Sequence, residues 1–480
     1  MRGAAWTWVV VASLFAGCAP RVTNVEVREL AMPHAFTRAA PGPSVAAMDW
    51  RAYFADEHLV VLIAEAVGGN PDLQIALQRI QVARAEVRAA TGARLPQVSA
   101  AIGGSFTRYG RYTLDGAGAA TTEITPGRLT PDPVAELSAG LHASWELDVW
   151  GKLRSLRGSA RARYLASIEG ANLVVTSLVA DVAIAYFELL ALDQVRDILR
   201  ETLDRQTEAL GMIRAQKDAG RANELAVQQF EAQLANTQAL DAIAVQQTRE
   251  LEHRSSVLLG RVPGPIPRSA QRLQRGVAPT IAAGIPSELL RNRPDLRAAE
   301  LQLQASRLDV AAARAAFYPT INITAGVGYS AFDPRYLLST PDSLVASIAG
   351  GLLAPLVNRR GLEAAFATAE ATQIEAMYRY QSIVLTSFAE VATGLSALEQ
   401  AAEVVAQRRR KKAAVAGTVE AADALFRAGK ATYLEVLLAQ QNTLEAELEL
   451  IEALRDQHIA SVRIYKALGG GWRGALQTTR

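Results

Sequence analysis

Side chains able to do chemistry are sparse in this chain and do not converge. The five histidines, His34, His58, His142, His253 and His458, are scattered without an HExxH spacing, and Cys18 is the only thiol. That pattern offers no His/Cys metal set, no Cys–His nucleophile and no intramolecular disulfide. Gly116-Ala117-Gly118 falls in a loop, without the strand and helix that a dinucleotide fingerprint needs, and no phosphate loop occurs. Carboxylates are plentiful, but on helical patterns they are the ordinary solvated surface. Enzyme chemistry and a bound cofactor are therefore not expected. Fifty basic residues against 48 acidic ones give a net charge of +2, too little for a nucleic-acid partner. The basic run at 408–412 lies mid-helix and reads as a solvated face.

Cys18 is the one candidate for covalent modification. The start, "MRGAAWTWVVVASLFAGCAP", has basic Arg2, an apolar run to about Phe15, and then small residues. That is an export signal, too short to span a bilayer. Phe15-Ala16-Gly17-Cys18 resembles the bacterial lipobox, with Phe15 where Leu is usual and Leu14 one place earlier. The motif implies lipidation of Cys18, and two or more acyl chains anchor stably where one does not. The alternative is a cleaved signal that merely contains a cysteine. Ala19, rather than Asp, implies the outer membrane. No other apolar run reaches about 18 residues, so no transmembrane helix is expected.

Regular elements must supply the rest. An Ala-, Leu-, Gln-, Arg- and Glu-rich composition with 6% aromatics favours extensive helix. Residues 18–57 contain Pro20, Pro33, Pro41 and Pro43 and read as an extended, lipid-anchored leader, and 57–67 as a short amphipathic helix. Leu73, Ala76, Ile80, Ala83, Val87 and Ala90 recur at heptad spacing after Pro71. Past Pro96 the period becomes two, predicting strands at about 96–107 and 134–149. Leu137, Leu141, Ala143, Trp145, Leu147 and Val149 there alternate with Ser138, His142, Ser144, Glu146 and Asp148. Two further strands follow at about 319–330 and 344–356. Tilted strands of this length cross a bilayer. No proline interrupts Pro133 to Pro263 or follows Pro355, and each gap holds one helical pattern, about 152–216 and 362–427. Roughly 65 residues at 1.5 Å each make a rod of about 100 Å. Each rod ends at a glycine turn, 218–223 or 427–432, followed by a returning helix.

The chain is doubled. Pro71, Asp72, Leu73, Arg84, Pro96 and Gly103 recur 223 residues later as Pro294, Asp295, Leu296, Arg307, Pro319 and Gly326. Gly220, Leu225 and Gly260 recur 209 residues later as Gly429, Leu434 and Gly469. The offset falls because the first inter-strand loop is longer, and loops absorb insertions cheaply. The repeats are placed at 58–262 and 286–471, with a linker at 263–285 and a tail at 472–480. Four strands cannot close a membrane barrel, and open edges are not tolerated in lipid. Either copies of the chain share a barrel or the strands stay out of the membrane.

"WRAYFADEHLVVLIAEAVGGNPDLQIALQRI", "ASWELDVWGKLRS", "IPSELLRNRPDLRAAE", "ARAAFYPTINITAGVG", "APLVNRRGLEAA" and "AGKATYLEVLLAQ" together resemble the TolC/OprM family of outer-membrane factors, over about residues 49–471. The likeness is to the lipoprotein branch serving RND-type multidrug efflux. It implies a membrane α+β fold: four strands per protomer in a barrel shared by a homotrimer, continued by a periplasmic helical coiled-coil tunnel. It implies a periplasmic adaptor and an inner-membrane RND-type transporter as partners, outer-membrane lipid around the barrel, and no cofactor beyond lipid on Cys18. It further implies a passive duct closed by an iris at the helix tips. The family's gate positions fall here on Glu435 and Leu438. Glu435 would give a cation-attracting ring, while Leu438 departs from the acidic pattern and suggests an apolar second ring. Gly220, Arg221, Gly429 and Lys430 become candidates for adaptor contact. Trp145, Trp150, Phe106, Tyr109, Tyr329 and Tyr336 are candidate interface aromatics or core residues.

Two other readings remain at this stage. The same duct would serve protein secretion through an ABC-type exporter, or the chain is a lipid-anchored coiled coil whose strands form an ordinary sheet.

Overall fold

The backbone changes geometry close to Pro96 and Pro319, as the periodicity requires. A computed structural model describes residues 20–22, 33–37, 39–278, 280–355, 357 and 359–475, without the side chains of 125, 270 and 271. Cys18, the signal segment and residues 476–480 lie outside the described residues. In chain order the elements are α1 (Trp50–Phe54), α2 (Glu57–Gly69), α3 (Pro71–Gly92), β1 (Gln97–Thr107), α4 (Leu114–Thr121), β2 (Glu123–Thr125), β3 (Arg128–Leu129) and β4 (Val134–Leu147). There follow α5 (Lys152–Asp218), α6 (Glu224–Leu258), a single helical turn at Leu289–Asn292, α7 (Pro294–Ala315), β5 (Thr320–Ala331), β6 (Leu344–Leu353), α8 (Arg360–Val415), α9 (Thr418–Arg427) and α10 (Tyr433–Ala467).

The doubling is kept in element lengths. Both α3 and α7 have 22 residues, and both α6 and α10 have 35. Pro71 and Pro294 each occupy a first helical position, where the missing N–H costs nothing. The two inter-strand connections differ: the first carries α4 and the β2–β3 hairpin, the second only a 3-10 turn at Pro334–Tyr336.

Residues 81–164 and 301–378 make one compact unit. Its centre is an antiparallel sheet in the order β1-β4-β5-β6. Two tryptophans fix the starts of its strands: Trp145 Nε1 donates to the Arg94 carbonyl at 3.0 Å, and Trp150 Nε1 to that of Pro319 at 2.7 Å. Trp150 also stacks on Tyr318, with centroids 4.9 Å apart. Helix packing in this unit gathers Val310, Phe317 and Phe366.

Residues 28–80, 165–300 and 379–480 make the second unit. Its main core joins Trp50, Phe54, Leu59, Ile63, Val179, Phe187 and Tyr465. Helix α5 contains an 18-residue window of mean hydropathy 1.9, long and apolar enough to cross a membrane, yet 67% of it is buried inside the protein. That burial is what a core helix shows.

Three expectations need correction. Over its described residues from Ala39 onwards the leader is packed on the rest of the chain and ends in a helix: Ala40 bridges Ala282, Trp50 is 1% exposed, and Tyr53 stacks on Tyr465 at 4.1 Å. Aromatic side chains here outweigh the prolines, which only punctuate the path. The rod expected over 362–427 is two helices, because Gly417 adopts a left-handed φ of 79° and starts α9. The equivalent stretch of α5, around Glu208, is unbroken. The basic run at 408–412 is not simply solvated: Arg408 and Lys411 bond Glu449 at 2.7 and 2.6 Å, and Lys412 reaches Glu447 at 3.1 Å.

Candidate functional site

The strand register sorts side chains by chemistry. Cross-strand partners share a face, so Val98 aligns with Ala143, Ala325 and Ile348, and Ala100 with Leu141, Val327 and Ala346. Ile102, Ala139, Tyr329 and Leu344 form the next row, and Leu147, Ile321 and Leu352 another. The opposite face carries Gln97, Ser144, Thr324 and Ala349, then Ser99, His142, Gly326 and Ser347. Residues of the apolar face stand bare, Ile102 at 90%, Ile348 at 81% and Phe106 at 78% exposure. In water such a patch is a liability; against lipid tails it is a match. β1 and β6 are the outer strands, each paired on one side only among the described residues.

The helix tips form a second surface. Gly220 and Gly429 have φ of 76° and 71°, and each ends its helix in the same way. Arg221 N donates to Gln216 O and Lys430 N to Leu425 O, both at 2.8 Å. Left-handed glycine is what this cap needs. Arg221 and Lys430 are exposed, and no carboxylate lies within ion-pairing distance of either among the described residues. Beneath the turns, Leu210, Ile213, Val227, Phe230 and Val436 pack together, flanked by Phe426 and Tyr433, so the two hairpin tips share one core. In the first tip Lys217 pairs with Glu224 at 2.5 Å, which raises the ammonium pKa and lowers that of the carboxyl.

Glu435 has a local duty that sequence reading missed. Its carboxylate accepts from Thr432 N at 2.6 Å and from the Thr432 hydroxyl at 2.9 Å, closing a capping box at the start of α10. These donors hold its carboxyl below the usual range. The T-x-x-E spacing of Thr432 and Glu435 was the available signal. Leu438 lies one turn on, 48% exposed, beside exposed Leu434.

The remaining candidates separate. Trp145 and Trp150 hold strand starts, as described above. Tyr329 bonds Thr340 at 3.0 Å, Tyr336 packs on Phe332, and Phe106 and Tyr109 are exposed. His458 is a core residue, stacked on Phe187 at 4.4 Å with Nε2 3.2 Å from Leu273 O, and burial lowers its pKa to about 4. Among the described residues no three His, Cys, Asp or Glu gather to hold a metal ion.

A sheet with one bare apolar face, built into a doubled chain of long helical hairpins, marks a membrane protein. The chain belongs to the outer membrane efflux protein family, which matches residues 62–260 and 285–470. It is 31% identical over 428 residues to the solvent efflux pump outer membrane protein SrpC of Pseudomonas putida, covering 88% of this chain and 87% of that one. It is 30% identical over 429 residues to the cation efflux system protein CusC of Escherichia coli, covering 88% of each. The open-state MtrE outer membrane channel of Neisseria gonorrhoeae superposes with a TM-score of 0.82 at 26% identity, covering 94% of this chain and 98% of MtrE. The protein is therefore an outer-membrane efflux channel component.

Proposed function

We propose that three copies of this chain close a twelve-stranded barrel, each giving β1, β4, β5 and β6, and that the helical hairpins continue it as a periplasmic tunnel. The sheet carries this reading: it is amphipathic, bare on its apolar face, and has two edges, unpaired among the described residues, that a neighbouring copy would satisfy. Lipid forbids such edges to remain open. In a closed barrel the Ser99, His142 and Ser347 face lines the bore and the Ile102 and Ile348 face meets lipid. The duct is passive; an inner-membrane RND-type pump supplies energy and a periplasmic adaptor docks at the tips, with Arg221 and Lys430 as the exposed cations offered there. Cys18 carries the lipid anchor.

Opening is a movement of the tips. The Gly417 break supports this reading, because it gives the second hairpin a joint ten residues before its tip that the first hairpin lacks. Glu435 and Leu438 follow that tip and ring the constriction. Planar-bilayer recording of the purified full-length protein tests the whole reading. Discrete conductance steps from a heat-modifiable trimer are expected; a protein that fractionates with the outer membrane but never conducts would overturn it.

A further inference from the structure

The helix ends that adjoin the strands are rich in arginine. Residues 152–163 carry Lys152, Arg154, Arg157, Arg161 and Arg163 with no acid among them, in a chain whose net charge is only +2. Some of this charge is answered locally: Lys152 pairs with Glu146 at 2.6 Å, Arg154 with Asp148 at 3.9 Å, and Arg163 with Asp309. Four exposed arginines have no such partner among the described residues: Arg88 near the end of α3, Arg157 near the start of α5, Arg314 at the end of α7 and Arg360 at the start of α8. Each of the four strand-adjoining helix ends thus presents one, within about a turn and a half of its terminus. A second tier lies further from the strands, Arg84 and Arg161 by about one turn and Arg307 by about two; these three are also exposed, with no ion-pair partner among the described residues.

The helix dipole accounts for only half of the first tier. Cations are favoured at helix C-termini, which suits Arg88 and Arg314, and disfavoured at N-termini, where Arg157 and Arg360 sit. Asp148 caps the start of α5 through Leu153 N and Arg154 N, and Glu363 lies in the first turn of α8, but neither pairs with Arg157 or Arg360. All four first-tier cations are thus left to an external anion. The neighbouring strands present a bare apolar face, so the anion at this level is a lipid headgroup.

We infer that Arg88, Arg157, Arg314 and Arg360 form a collar that binds the phosphates of anionic phospholipid in the leaflet facing the helices. This rests on the reading that the strands cross the outer membrane. Basic residues beside an anionic surface attract it within about one Debye length, roughly 8–10 Å, each worth about a fivefold gain in association. The first tier falls within that reach and the second largely beyond it.

The test uses full-length protein in vesicles of phosphatidylethanolamine with or without phosphatidylglycerol, reading the phosphatidylglycerol that co-purifies with the extracted trimer. Wild type is expected to enrich it. Arg88→Gln, Arg157→Gln, Arg314→Gln and Arg360→Gln combined should lower enrichment at least about tenfold, whereas Arg84→Gln, Arg161→Gln and Arg307→Gln combined should change it little. Excess inorganic phosphate should not displace the lipid. If the fourfold variant fails to insert, the pair Arg157→Gln and Arg360→Gln decides the matter by the same readout. Equal enrichment in all variants, or equal loss from both tiers, overturns the collar alone. Wild type that never enters the vesicles overturns the membrane reading with it.

Discussion

Arg293 donates from Nη1 to the carbonyl of Ala467 at 2.9 Å, tying the start of α7 to the end of α10. The first repeat makes the same tie with a different residue, Asn70 Nδ2 donating to Leu258 O at 2.9 Å. Asn70 also caps α3 through Leu73 N at 3.0 Å. Arg293 instead adds ion pairs to Asp295 and Glu390, both at 2.6 Å. The duplicated backbone therefore keeps its fastening while the side-chain chemistry has diverged.

Removing these two fastenings should not cost the same. Arg293 is 8% exposed, and Arg293→Ala leaves Asp295 without its buried partner, so a loss of about 3 kcal/mol is expected. Asn70→Ala removes a cap and one carbonyl bond, worth about 1–2 kcal/mol. Arg293→Asn should restore the Ala467 bond but not the ion pairs, and fall nearer to Arg293→Ala than to wild type. Chemical unfolding of the detergent-solubilised protein gives the order.

The glycines that close each repeat should be less replaceable than those at the tips. A Cβ on Gly260 would lie 2.1 Å from Gly69 O, and one on Gly469 2.6 Å from Asn292 O, with φ of 72° and 87°. Gly220 and Gly429 have similar φ and nothing within 4 Å. Alanine at the tips thus meets only the left-handed penalty, about 1–2 kcal/mol, whereas Gly260→Ala and Gly469→Ala must also displace backbone. Unfolding midpoints should show both closing-site variants less stable than both tip variants.

What sequence reading reached was local chemistry. Prolines, left-handed glycines and the switch from helical to two-residue period depend on the chain's immediate neighbours, so helix–strand junctions, tips and strand faces were all legible. What it missed depended on distant partners. Glu390 meets Arg293 across 97 residues, and Phe187 stacks on His458 from another helix. Trp50 and Tyr53 fold down a leader that its prolines made look extended. Gly417 sits in an alanine-rich stretch where one glycine need not end a helix, and only the folded backbone reveals its φ. The basic run at 408–412 had lysines and arginines in view but not Glu447 and Glu449 on α10.

Glu435 has two roles that one pair of substitutions separates. Glu435→Gln can still accept from Thr432, keeping the cap while losing the charge; Glu435→Ala loses both. If three carboxylates ring the bore, both variants should lower cation selectivity in planar bilayers, and only the alanine variant should lower the unfolding midpoint by loosening the tip. Wild-type selectivity in Glu435→Gln would leave this residue a cap and nothing more.

His458 should make the helical core acid-sensitive. Its ring is 3% exposed, wedged against Phe187 and bonded to Leu273 O, with Arg272 as the nearby cation. Desolvation, reinforced by Arg272, lowers its pKa from 6.5 to about 4. Between those values the unfolded chain binds a proton that the folded one does not, so stability rises with pH across this window. Acidification should therefore remove stability progressively from about pH 6.5 down to about pH 4, by roughly 3 kcal/mol when complete. His458→Phe keeps a ring against Phe187 but has no proton to bind. Its unfolding midpoint should fall less steeply over that range than that of wild type, at the cost of leaving Leu273 O without its partner. Parallel pH profiles for the two proteins would assign the acid response to other groups.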